Sequence, residues 1–183
     1  MKKYDLILKG ARVLDPSRNM DGVFDVAVKD GKIRGLEKEI PAEEGEKVLE
    51  VSGYLLTPGL VDMHCHIYPR FPFEEDGLPT IQGEAHMFRS GVTACVDAGT
   101  CGSRDILQFK ESVIDRSKLK IFAFVNIASG GMVNLESEQD IQEFQPEIAA
   151  AIAGTYDCVA GIKTAHYWVG KPVDSRHPAW ESV

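Results

Sequence analysis

Residues 60–69 read LVDMHCHIYP, and the two imidazoles in that stretch, His64 and His66, are spaced as metal ligands could be. On an extended strand, positions i and i+2 leave the same face, roughly 6–7 Å apart along the chain, so one divalent ion could lie between them. Neutral imidazole is a good ligand for zinc and other borderline ions. The competing account is a strand that carries two histidines for packing or at its surface, and the spacing alone does not separate the two. Farther along, VAGIKTA puts Lys163 near the end of another apolar strand. Burial penalises the ammonium and favours the neutral amine. Such an amine can add carbon dioxide to give a carbamate, whose two oxygens could bridge two ions as a glutamate would. A lysine that snorkels out from a strand end, or pairs with an acid, is the plainer alternative.

The elements that must position these residues fall into two kinds. Residues 1–56 contain YDLILKG, VFDVAVKDGKIRGLEKEI and KVLEVSGYLL, which alternate apolar and polar residues and predict a small antiparallel β unit. Asp30-Gly31 is the signal of a tight hairpin turn, and Pro58-Gly59 punctuates the end of the unit. From residue 57 the pattern becomes strand then helix, repeated. LVDMHCH, VTACVDAG, LKIFAFVNIAS and CVAGIKTA are strand-like apolar runs. Between them lie helical stretches: PTIQGEAHMFRSG closing on Gly91, SRDILQFKESVIDRS with Ser103 as N-cap, and SEQDIQEFQPEIAAAIAG with Ser137 as N-cap and a break at Pro146. HPAWESV, with Pro178 at a helix start, follows.

Strands separated by helical stretches of about 10–15 residues predict a parallel sheet built from βαβ units. A closed (β/α)8 barrel takes roughly 250 residues, so the units seen predict about half of one. The expected fold is therefore α/β: an incomplete N-terminal β-sandwich unit over 1–56, then the first half of a (β/α)8 TIM-type barrel over 57–183, truncated. His64, His66 and Lys163 all fall at C-terminal strand ends, the face on which barrel enzymes build their active sites.

The stretch TPGLVDMHCH, following a β unit and opening a βα series, resembles the amidohydrolase superfamily of metal-dependent hydrolases. The superfamily's hallmark is Pro-Gly, two hydrophobic residues, then Asp-x-His-x-His at the end of the first barrel strand. Pro58, Gly59, Leu60, Val61, Asp62, His64 and His66 match it position by position, and Lys163 stands where a fourth-strand lysine is expected. The resemblance implies a binuclear site of two divalent ions, zinc in the first instance, held by His64, His66 and a bridging Lys163 carbamate formed from carbon dioxide. It implies that a water bridging the ions is activated as hydroxide for amide or ester hydrolysis. It also implies two further histidines and a proton-shuttling aspartate on later strands, which are expected beyond Val183. The missing C-terminal half, or a homo-oligomeric partner, is then needed for activity.

Within the superfamily, VDAGTCG, FVNIAS and VAGIKTAHYWVG look like the dihydroorotase-like, adenine-deaminase-like and deacetylase branches. The expected activity is a deacetylase acting on a small acylated compound, with a dihydroorotase-like cyclic amidohydrolase or an adenine-deaminase-like enzyme as alternatives. A truncated, non-catalytic assembly module is the alternative of another class. Tyr68, Arg70, Thr100 and His166 are expected near the substrate, and Asp62 behind the ligands. In dihydroorotase-like relatives an arginine that grips a substrate carboxylate is expected at the position of Tyr68. Cys65 should point away from the imidazoles as a packed thiol, and His86 should be structural.

Composition excludes some classes. Acidic residues outnumber basic ones by 28 to 20, the formal charge is −8, and no basic block suited to a phosphate backbone occurs, so nucleic acid is not an expected partner. Asp5 and Lys9 interrupt the first apolar run, and no segment approaches the ~18 apolar residues of a membrane span. The four cysteines, Cys65, Cys95, Cys101 and Cys158, are scattered, which suits a reducing, cytoplasmic setting.

Overall fold

The computed structural model describes residues 2–69 and 80–165, and the chain divides between Pro58 and Gly59 into two units. In the first unit the long strand β1 (Tyr4–Asp15) is central. It pairs antiparallel with β2 (Met20–Lys29), which pairs antiparallel with β3 (Lys32–Glu37). Its other edge pairs with β4 (Gly45–Glu50) and β5 (Leu55–Leu56) in parallel. The sheet is thus mixed, which corrects the antiparallel expectation, because alternation of side chains gives the buried face of a strand but not the direction of its neighbour.

The Asp30-Gly31 turn between β2 and β3 has φ of 51° and 68°, the left-handed pair that a two-residue hairpin needs. Successive residues of β2 serve opposite faces: Ala27 packs with Tyr4, Ile7 and Ile40, and Val26 with Ala11 and Val13. A bulge in β1 between Leu8 and Ala11 is pinned by Asp25, whose carboxylate accepts Gly10 N–H at 2.8 Å, Ile40 N–H at 2.8 Å and the Lys9 ammonium.

The second unit is a parallel sheet of β6 (Leu60–Cys65), β7 (Val92–Ala98), β8 (Lys120–Asn126) and β9 (Val159–Lys163), in that spatial order. Helices α1 (Gly83–Met87), α2 (Ile106–Ser112), α3 (Leu135–Gln139) and α4 (Pro146–Thr155) lie in the connections. Met87, Ile106, Phe109 and Ala149 from the helices close over Cys95, Ile121, Ala123 and Val125 from the strands in one apolar cluster. Burial on this face accounts for the apolar runs of β7 and β8, whereas Leu60, Val61 and Met63 of β6 are exposed.

The helices are shorter and capped differently than predicted. Asp105, not Ser103, occupies the N-cap position of α2 and accepts Gly102 N–H at 3.0 Å, while Ser103 Oγ donates to Gln145 at 2.6 Å. Asn134, not Ser137, caps α3 by accepting Ser137 N–H at 2.8 Å. Pro146 at the first turn of α4 begins a separate helix, and Gly91, at φ 77°, ends the turn after α1. None of the described helices is long and apolar enough to cross a membrane.

Candidate active site

The ladder brings the C-terminal ends of the four parallel strands into one row: Cys65 pairs with Asp97, Ala98 with Phe124, and Asn126 with Lys163. His66, Gly99, Thr100, Asn126 and Lys163 therefore share one end of the sheet. Register shifts shape that end. Between Asp62 and Cys65, β6 carries one more residue than β7 does between Cys95 and Asp97. In that bulge His64 N–H bonds Asp62 Oδ1 at 3.0 Å. The two imidazole centroids lie 5.5 Å apart with rings 79° to one another, close to the separation expected along a strand. The carboxylate of Asp62 thus holds the backbone of the first histidine.

His66 follows the last residue of β6 and is half-buried. Its Nδ1 lies 2.9 Å from Thr100 Oγ1. Burial pushes the His66 pKa below the ordinary 6.5, outweighing the opposite pull of Asp97, so the ring is neutral near pH 7 and has a lone pair to offer. His64 is exposed. Lys163 is half-buried and lies over Gly99, where a Cβ would come within 2.5 Å of Lys163 Cγ. Gly99 also has φ of 86°, a second reason that a side chain is unsuited there.

Several polar groups that spacing did not single out are buried at the same end. Asp97 accepts the N–H groups of Ile67, Tyr68 and Thr100. Asn126 donates through Nδ2 to Gly99 O and to Glu138 Oε1, both at 3.1 Å, and accepts Ala128 N–H at 3.0 Å. The sequence signal that could have found Asp97 and Asn126 is a polar residue at or next to the C-terminal end of a mostly apolar strand.

The remaining candidates separate. Tyr68 is 5 % exposed and its ring stacks 4.7 Å from that of Phe109 in the apolar cluster, so the structure brings it to the core. Thr100 is 3 % exposed and meets the site through His66. Cys65 is in the same cluster as Phe109, with Sγ 3.3 Å from Val96 O, and His86 is exposed on α1. Arg70 and His166, with Tyr167, His177 and Pro178, lie outside the described residues. A cleft of about 580 Å³ lined by Lys120, Tyr156 and Cys158 opens at the opposite, N-terminal ends of β8 and β9 and does not reach the histidines.

Two neutral-capable imidazoles and a lysine fit part of the coordination sphere of a divalent ion. Among the described residues, no group of three or more His, Cys, Asp or Glu side chains is gathered to hold a metal. The third donor would have to be Lys163, as a carbamate.

No family model matches the chain. It is 40 % identical over 175 residues to the dihydroorotase of Acetivibrio thermocellus, which covers 93 % of this chain and 37 % of that protein. A crystal structure of a dihydroorotase superposes with a TM-score of 0.67 at 23 % identity, over 87 % of this chain and 42 % of the other. A crystal structure of an adenine deaminase gives 0.65 at 24 %, over 91 % and 44 %. Both solved structures share the fold. The described architecture is therefore the N-terminal part of a TIM-type (β/α)8 barrel preceded by a β unit. The chain belongs to the amidohydrolase superfamily of hydrolases and corresponds to the N-terminal portion of its members. It spans 17 to 37 % of the length of the dihydroorotases it matches.

Proposed function

We propose that the chain carries the first part of the active site of a metal-dependent cyclic amidohydrolase that opens the C–N bond of a small ring amide. The observation that carries this reading is that His66 and Lys163 stand at the same, C-terminal end of the parallel sheet, with the ring of His64 5.5 Å from that of His66. The sequence likeness to dihydroorotases supports the cyclic-amide class over the deacetylase that the motifs first suggested.

In this reading His64 and His66 hold divalent metal through ring nitrogens, and Lys163 contributes as a carbamate. When bound, the metal, with zinc as the first choice, polarises the scissile carbonyl and makes a water acidic enough to serve as nucleophile near neutral pH. The residues of this chain set the stage for that chemistry. Burial favours the neutral form of His66, Asp62 fixes the backbone of His64, and Gly99 leaves room for the stem of Lys163.

A second reading, removal of an acyl group from a small compound, is favoured by one observation. Tyr68 occupies the position at which dihydroorotase-like relatives are expected to carry a carboxylate-gripping arginine, and its ring is buried against Phe109. The two readings part on substrate. Combined with the C-terminal half that completes the barrel and loaded with Zn(II), the protein should hydrolyse dihydroorotate or a hydantoin and lose that activity in His64→Ala. Turnover of N-acetyl amino acids or acyl esters, with none of the cyclic amides, would establish the second reading instead.

A further inference from the structure

Asp97 sits in a buried arrangement that the proposed chemistry does not use. Its carboxylate is fully enclosed, at 0 % exposure, and accepts three backbone N–H groups. Ile67 at 2.8 Å and Tyr68 at 3.1 Å bond Oδ2, and Thr100 at 2.9 Å bonds Oδ1. The first two residues follow His66 directly. The third is the residue whose hydroxyl lies 2.9 Å from His66 Nδ1. A buried carboxylate is unfavourable unless its lone pairs are taken up, and amide donors to a charged acceptor are among the stronger hydrogen bonds. Because β6 ends at Cys65, the sheet ladder does not hold the backbone beyond it. One carboxylate ties that backbone to the loop carrying Thr100.

We propose that Asp97 and Thr100 are positioning residues for His66. Asp97 clamps the segment after the imidazole to the segment bearing Thr100. The hydroxyl of Thr100 accepts the Nδ1–H, which fixes the ring's orientation and leaves the proton off Nε2. The hydrogen bond made by one ring nitrogen decides the state of the other, and partners of this kind orient metal-binding histidines. The effect on metal affinity rests on the reading of His66 as a ligand. The ring state itself is a property of the metal-free chain.

The test is a long-range proton–nitrogen NMR spectrum of the full chain labelled with ¹⁵N-histidine and free of metal, with His66 assigned from His66→Gln. The expected wild-type spectrum shows His66 protonated at Nδ1. Thr100→Val should shift it toward the Nε2–H form and Thr100→Ser should keep the wild-type pattern. In Asp97→Asn, checked for fold by circular dichroism, the amides of Ile67 and Thr100 should exchange with solvent about tenfold faster or more. A His66 protonated at Nε2 in the wild type, or a Thr100→Val spectrum identical to wild type, would overturn the proposal. A Zn(II) titration then separates the two ideas: Thr100→Val should bind about 10–100-fold more weakly than wild type, with Thr100→Ser close to wild type. If no variant binds Zn(II) while the NMR pattern holds, the metal reading fails and the positioning role stands.

Discussion

Gly99 and Lys163 face one another so closely that a methyl group on Gly99 would come within 2.5 Å of Lys163 Cγ. The lysine can occupy the end of β9 only because the end of β7 has no side chain there. Gly99→Ala should therefore displace the lysine stem and add left-handed backbone strain of about 1–2 kcal/mol. Urea unfolding reads the strain, and a Zn(II) titration reads the displacement. The expected pattern is a modest loss of stability with a larger proportional loss of metal affinity.

Lys163 itself should react with carbon dioxide. With ¹³C-bicarbonate and Zn(II) present, the wild-type protein should show a carbamate carbon resonance that is absent from Lys163→Ala and from Lys163→Arg, since a guanidinium does not form the adduct. In the protein completed by its C-terminal half, Lys163→Ala should also abolish hydrolysis.

Asp25 gives the first unit an acid-sensitive point. Burial alone would raise its pKa, but the Lys9 ammonium and the N–H groups of Ile40 and Gly10 outweigh burial and hold it below the ordinary 3.8. A carboxylate whose folded pKa is depressed contributes stability that is fully present above the unfolded value and fades as pH falls through the folded one. The wild type should thus unfold at lower temperature as pH drops below about 4, and Asp25→Ala should lose much of that dependence. At pH 7 Asp25→Ala should cost about 2–4 kcal/mol, because it removes the carboxylate that pairs with Lys9 and accepts the Gly10 and Ile40 amides.

Phe109 is fully buried between α2 and the parallel sheet and carries the ring of Tyr68 against it. Phe109→Ala should destabilise the second unit by about 3–5 kcal/mol in denaturant unfolding. Phe109→Leu, which refills most of the volume, should cost much less.

The sequence made β7 and β8 legible because they are apolar runs with buried residues on the helix-covered face, and the His64–His66 pair because a two-residue period needs no tertiary information. Pro58-Gly59 and Lys163 added order along the chain. Other features depend on contacts that no local pattern carries. Ser103 and Ser137 have the chemistry of caps, but Asp105 and Asn134 stand within three positions of them, and tertiary partners decided between the candidates: Ser103 is held by Gln145. The parallel pairing of β1 with β4 was hidden because alternation is the same for either direction. Asp97 and Thr100 could be seen as polar residues at a strand end, but their hold on His66 arises only once β6 and β7 lie side by side. Tyr68, expected near the substrate, turned to the core because Phe109 offers an aromatic surface there.

The central claim is that His64 and His66 act together on a metal ion, and an isothermal Zn(II) titration of the wild type, His64→Ala, His66→Ala and the double variant tests it most directly. The expected result is that each single variant loses at least about tenfold in affinity and that the double variant loses little more than either, as for two ligands of one ion. Wild-type affinity in both single variants, with fold retained by circular dichroism, would contradict it.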